Sequence, residues 1–179
     1  PDGPFTAMAL FFRIVYSPVG RGNALLLYED PNTERSLPDV CNVMMSDNEE
    51  LGRYLIKTFI GKLAVFAEAP AYRTLQYTSI DNVQTKGDPR SRYEELVSGG
   101  GIDVQMIWEK LGEPKAIELP PSLTGPKDRE LFTLLIESRK AAIILNGEPL
   151  KGELGNRIQA GFETTTAFLY FAETWIWPE

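Results

Sequence analysis

The 179-residue sequence contains no histidine and a single cysteine, Cys41. Without histidine, the commonest general base near neutral pH and the commonest transition-metal ligand are both missing. Ser–His–Asp and Cys–His nucleophilic catalysis are excluded within this chain, and so is a Cys/His zinc site. No metal and no cofactor is therefore expected. One cysteine permits no internal disulfide, a usage that suits a reducing compartment, so the cytoplasm is the expected location. No nearby Lys or Arg lowers the pKa of Cys41, which reads as a buried, inert thiol. Long apolar runs are absent too: none, Ala141–Leu145 included, comes near the length needed to span a bilayer. The chain begins at Pro1 rather than Met. It is read as trimmed, and a removed leader stays open.

Positive charge is scarce. Lys and Arg number 18 against 25 Asp and Glu, for a net charge of −7. Phosphate backbones are bound by clustered basic residues, so nucleic acid is disfavoured as a partner. The clusters that exist, Arg90/Arg92 and Arg139/Lys140, hold two charges each and read as solvated turn residues. Arg21 is flanked by glycines in the Ser17–Gly22 turn. That setting could hold an anion, but neither the P-loop nor the dinucleotide pattern is present, and a plain turn is the simpler reading.

What remains is an ordinary globular composition, 43% hydrophobic and 24% charged. The length suits one domain, residues 1–179, with a sizeable core. No fixed-period repeat or low-complexity segment appears.

The end of the chain organises the fold reading. Phe162–Trp177 is rich in strand formers, and its even positions, from Phe162 to Ile176, carry no charge. Side chains alternate between sheet faces, which assigns the even face to the interior. The odd face mixes Glu163 and Glu173 with Leu169, Phe171, Trp175 and Trp177, so something must cover it. One straight strand of this length is unusual; it must bend, bulge or change partners. Asn146–Gly147 signals a type I′ hairpin, with Pro149 confining the return strand to an edge.

Earlier in the chain, Thr6–Tyr16 reads as a strand with Met8, Leu10, Phe12, Ile14 and Tyr16 on one face. Asn23–Glu29 is apolar on both faces and should be central and covered on both sides. Val40–Met45 is a short strand. Ser46–Phe66 reads as the one long helix, with Ser46 and Glu49 forming a capping box and Leu51, Tyr54, Leu55, Phe59, Leu63 and Phe66 as its apolar stripe. Tyr72–Thr85 is strand-like and Arg90–Val97 ambiguous. Ile102–Lys110 alternates cleanly, with Ile102, Val104, Met106 and Trp108 inward. Leu111–Pro114 reads as a turn that makes Lys115–Leu119 its hairpin partner.

The expected fold is mainly β (α+β): a strongly curved antiparallel sheet or β-barrel with one long helix packed on it or plugging it. The outline is lipocalin-like, but the early Gly-x-Trp signature of such families is missing, so no family is assigned. Tyr16, Trp108, Thr166, Phe168 and Tyr170 are the candidate ligand-binding residues, an aromatic interior with placed hydroxyls. The simpler reading of the threonines is that they suit strand geometry. Glu137, Glu163 and Glu173 could do acid–base work if held at the right separation, or be surface charges. The leading expectation is a binding barrel for a small apolar or aromatic ligand. The alternatives are a metal-independent lyase, isomerase or cyclase using Glu and Tyr, and an assembly subunit that pairs through Phe171, Trp175 and Trp177.

Overall fold

The computed structural model describes residues 4–124, 127, 129–159 and 161–176, with the side chains of 159 and 173–176 outside that description. The first layer is a sheet of four strands in the order β1 (Met8–Ile14), β2 (Gly22–Tyr28), β3 (Asn42–Ser46) and β4 (Gln76–Ser79). Neighbours are antiparallel except β3 and β4, which are parallel. The return between β3 and β4 is helical: α1 (Glu49–Thr58), a 3-10 turn (Ile60–Lys62), α2 (Ala64–Ala67) and a second 3-10 turn (Pro70–Thr74).

The second sheet holds β5 (Asn82–Asp88), β6 (Arg92–Gly99), β7 (Ile102–Leu111), β8 (Lys115–Leu119), β9 (Arg129–Leu145) and β10 (Glu148–Pro149). A small hairpin of β11 (Asn156–Gln159) and β12 (Phe162–Thr165) leads into β13 (Phe168–Ile176). β9 is the spine. Its second half pairs with β7 and β10, and its first half lies between β8 and β13. The result is a strongly curled half-barrel, mostly β, with the helix on the outer face of the other sheet.

The alternation in β2 decides the layering. Leu25 and Leu27 point toward the second sheet and meet Val43, Met45, Val97, Val104 and Met106. Ala24, Leu26 and Tyr28 point the other way, where they meet Met44 of β3 and Leu51, Leu55 and Ile60 of the helical segment. All five β2 residues are fully buried. A strand apolar on both faces is thus central and doubly covered, as its sequence requires.

Three local expectations need correction. The helix starts at Glu49 with Asn48 as its cap, whose side chain accepts from the Leu51 N–H at 3.2 Å. Ser46 is still strand, paired with Ala24 and Ser79, and its hydroxyl donates to the Asn23 carbonyl at 2.8 Å. The helix also breaks at Phe59, whose φ of −133° and ψ of −70° leave the helical region, and the following 3-10 turn packs Gly61 so closely that a Cβ there would sit 2.5 Å from the Ile56 carbonyl and 2.6 Å from the Tyr72 hydroxyl. Finally, Leu111–Pro114 does not reverse the chain. β7 and β8 run on in one direction along β9, with Gly112 paired to Glu137 and Lys115 to Leu135. Glu113 and Pro114 therefore face Ile136 alone, which makes this a bulge.

Asn146 and Gly147 have φ of 49° and 87°, the pair of positive values that a type I′ turn needs. They set Leu145 against Glu148, and Pro149 lies on a two-residue edge strand. The closing segment does change partners, as its length demands: β12 pairs with β11, and β13 with β9. Trp177 lies outside the described residues.

Cys41 is buried, and burial together with the nearby Glu29 charge pushes its thiol up to about 11. It is inert on both counts. No helix among the described residues is long and apolar enough to cross a membrane.

Candidate binding site

β6 carries Tyr93, Glu95 and Val97 at alternate positions, and alternation turns all three toward the first sheet. Val97 joins the core, but Glu95 is a carboxylate in the same layer, only 3% exposed. A buried carboxylate needs partners, and three groups supply them. The Tyr93 hydroxyl donates to Oε1 at 3.0 Å. Arg13 Nη2, from β1 of the other sheet, donates to Oε2 at 3.0 Å, and the Thr85 hydroxyl donates to the same oxygen at 2.9 Å. Arg13 also reaches Thr85 Oγ1 at 2.7 Å. Glu95 thus ties the edge strand of one sheet to β5 and β6 of the other.

The Tyr93 ring continues the site on the apolar side. It stands 6.2 Å from Trp108 of β7 and 6.4 Å, edge-on, from Phe171 of β13. Phe171 is in register with Leu134, and Phe132 stands two residues along the same face. Phe132, Leu134 and Phe171 are 43%, 37% and 43% exposed, an apolar cluster open to solvent. Alongside, β7 and β9 keep one register through Lys110, from Glu109 against Lys140 to Leu111 against Ser138. Lys110 takes a positive φ of 52°, and the Ser138 hydroxyl donates to the carbonyls of Glu109 and Lys140 at 2.8 Å each. Trp108, Tyr93 and Phe171 thus form an aromatic cluster, with the Tyr93 hydroxyl as its hydrogen-bonded polar end.

On the other side of Arg13 lies an open cleft of about 620 Å3, between the turn end of β1 and β2 and the inner face of β5. Arg13, Arg21, Asn23, Asp47, Val83 and Thr85 line it. Both oxygens of Asp47 are held by Asn23, through the backbone N–H at 2.7 Å and the side-chain amide at 2.6 Å.

Burial, then the Glu95 charge and the hydrogen bond to Glu95, raise the pKa of Tyr93 above 10.0. Tyr93 is a neutral phenol and a donor at physiological pH. Burial raises Tyr28 and Tyr77 as well. A phenol whose folded pKa exceeds its unfolded value holds its proton longer when folded. Its contribution to stability is complete below pH 10 and lost as pH climbs through the folded pKa. Cys41 acts in the same direction from pH 9 upward. Tm is accordingly expected to be flat up to about pH 9 and to fall steeply by about pH 11. A Tm unchanged at pH 11 would contradict the burial of these groups.

The five residues singled out from sequence divide. Phe168 and Tyr170 lie together, ring centroids 4.8 Å apart, in register with Glu137 and Leu135. They occupy the face of β13 that meets the buried Thr133 and Leu135, although Tyr170 itself is 37% exposed. Thr166 is close by in sequence and ties the chain to Gly155 through its backbone N–H at 2.8 Å and its side-chain oxygen at 3.1 Å. Trp108 packs against the main core on the other side of the ribbon. Tyr16 stands apart, past the end of β1 and 86% exposed. The aromatic that meets Trp108's neighbour Tyr93 is Phe171, from the odd face of the closing strand. Glu137 pairs with Arg139 at 3.5 Å, Glu163 is exposed, and the side chain of Glu173 is outside the described residues. Sequence reading missed Glu95 because Glu94–Glu95 looks like surface charge; the signal was the i, i+2 spacing of Tyr93 and Val97 around it.

The chain matches no known family model, no curated protein and no solved structure. Among the described residues, no group of three or more Cys, Asp or Glu side chains is placed to hold a metal ion.

Proposed function

We propose that this protein is a binding module for a small ligand with a flat apolar or aromatic body, taken up on the trough formed by Trp108, Tyr93, Phe171 and Leu134. The observation that carries this reading is the double engagement of Tyr93. Its ring stands between Trp108 and Phe171, and its hydroxyl is fixed on the buried Glu95. Ligand sites are built in this way, as an apolar wall with a few placed polar groups. A buried Glu beside Tyr and Arg is also what a metal-independent enzyme would need. Here, however, the carboxylate already accepts three hydrogen bonds and serves as an anchor.

Isothermal titration with naphthylmethanol tests the reading. Saturable one-to-one binding is expected, weakened about tenfold in Phe171→Ala, the loss of one aromatic contact. Phe171 is 43% exposed, and equal thermal melts of variant and wild type check that the fold is kept. Absence of binding, or equal binding by Phe171→Ala, would overturn the proposal. So would a stable dimer by light scattering that buries the trough and takes up no probe, since the occupant would then be a second copy.

A further inference from the structure

We infer that the ligand carries a single carboxylate, received in the cleft between Arg13 and Arg21. This inference rests on the trough reading and adds the chemistry of the ligand's head. The trough and the cleft meet at one carboxylate. Glu95 Oε1 takes the Tyr93 hydroxyl from the trough side, and Oε2 takes Arg13 from the cleft side, each at 3.0 Å. Tyr93 and Arg13 thus flank one buried carboxylate, and a ligand seated on the Tyr93 ring that extends past Glu95 would present its end group to the Arg13 guanidinium.

Arg13 is equipped for a second partner. Only Nη2 is committed, to Glu95 and Thr85, and the side chain is half exposed. Its Nε and Nη1 hydrogens bond to no described residue, so Glu95 holds the planar fork in place with donors to spare. Arg21 lines the same cleft, and its side chain makes no hydrogen bond or ion pair to any described residue. It is also the glycine-flanked arginine that a plain turn does not need. In a chain of net charge −7, two guanidinium groups facing one cleft of about 620 Å3 are out of keeping with the rest of the surface.

Two cations against two carboxylates leave room for one added negative charge at most. The lining groups are Arg13, Arg21 and Asp47, with Glu95 directly behind Arg13. Asp47 is pinned by Asn23 on both oxygens. One added negative charge pairs with Arg21 and the outer edge of Arg13. A dianionic phosphate would bring a second charge toward Asp47 and Glu95 with no cation to meet it.

The test compares naphthoate with naphthylmethanol, on wild type and on Arg21→Gln, by isothermal titration. Arg21 is exposed, and equal thermal melts confirm that the variant folds. Naphthoate is expected to bind about ten- to a hundredfold more tightly than the alcohol, the range of a charge-assisted pair. Arg21→Gln should remove about tenfold of that advantage and leave the alcohol's affinity unchanged. Equal affinities for the two probes, or an advantage untouched by Arg21→Gln, would overturn the carboxylate inference and leave the trough standing. Failure of both probes to bind would overturn the trough reading itself.

Discussion

Leu26→Ala is expected to lower the unfolding free energy by about 3–5 kcal/mol. Leu26 is fully buried in the middle of β2, in register with Leu10 on one side and Met44 on the other. Its side chain lies in the layer where Leu51, Leu55 and Ile60 descend from the helical segment. The lost methyl groups account for part of the effect, and the cavity accounts for the rest. Neither wall can move in to fill the space, since the strand is packed against the second sheet on its far face. In a chain of this size the loss corresponds to a Tm lower by roughly 10 °C. Leu26→Met keeps the volume and should cost under about 1.5 kcal/mol. Leu134→Ala, at a half-open position, should cost far less than Leu26→Ala. Urea unfolding of the three variants measures this directly. A small loss for Leu26→Ala would mean that the helical segment does not cover this face.

Glu95→Ala should cost about 2–4 kcal/mol, although the residue looks like an ordinary surface glutamate in the sequence. Removing the carboxylate strands three donors at once: the Tyr93 hydroxyl, Thr85 and one end of Arg13. The cost is that of desolvated groups left without an acceptor, which exceeds the net worth of the bonds themselves. Half of Arg13 can turn to water, which keeps the figure below that of a fully buried pair. Glu95→Gln keeps an acceptor for Tyr93 and should recover much of the loss. The informative comparison is with Glu94→Ala. Glu94 sits next in sequence on the outer face, where its 14%-exposed side chain pairs with the half-exposed Arg92 and with Gln105; both partners can turn to water, so its removal should cost about 1 kcal/mol. If the two alanine variants unfold at the same urea concentration, Glu95 is not the link between the sheets.

These two positions also show what could be read from the sequence. β2 was legible because Leu25 and Leu27 and then Ala24, Leu26 and Tyr28 are apolar on both alternations, and only a doubly covered strand needs that. The Asn146–Gly147 corner was legible because few residue pairs accept two positive φ values. Leu111–Pro114 was misread because the residues that make turns also make bulges; which one forms depends on what lies across, and β9 lies across both β7 and β8. Ser46 matched a capping box, but the pairing of β3 extended one residue further and Asn48 took the cap. The site was legible only in part. Trp108 and the aromatic closing strand stood out, yet which face of that strand meets Tyr93 depends on how β13 lies against β9, which no alternation pattern announces. Glu95 escaped because a buried charge is recognised by its partners, and Arg13 and Thr85 are distant in sequence.

The claim on which the account rests is that the trough is where the ligand sits, and amide chemical-shift mapping with naphthylmethanol tests it most directly. The account predicts saturable shifts concentrated at Tyr93, Trp108, Leu134 and Phe171, with the β11–β12 hairpin and the helical face unmoved. Shifts centred on Ile158 and Phe162 of that hairpin, with Tyr93 and Phe171 silent at saturation, would contradict it.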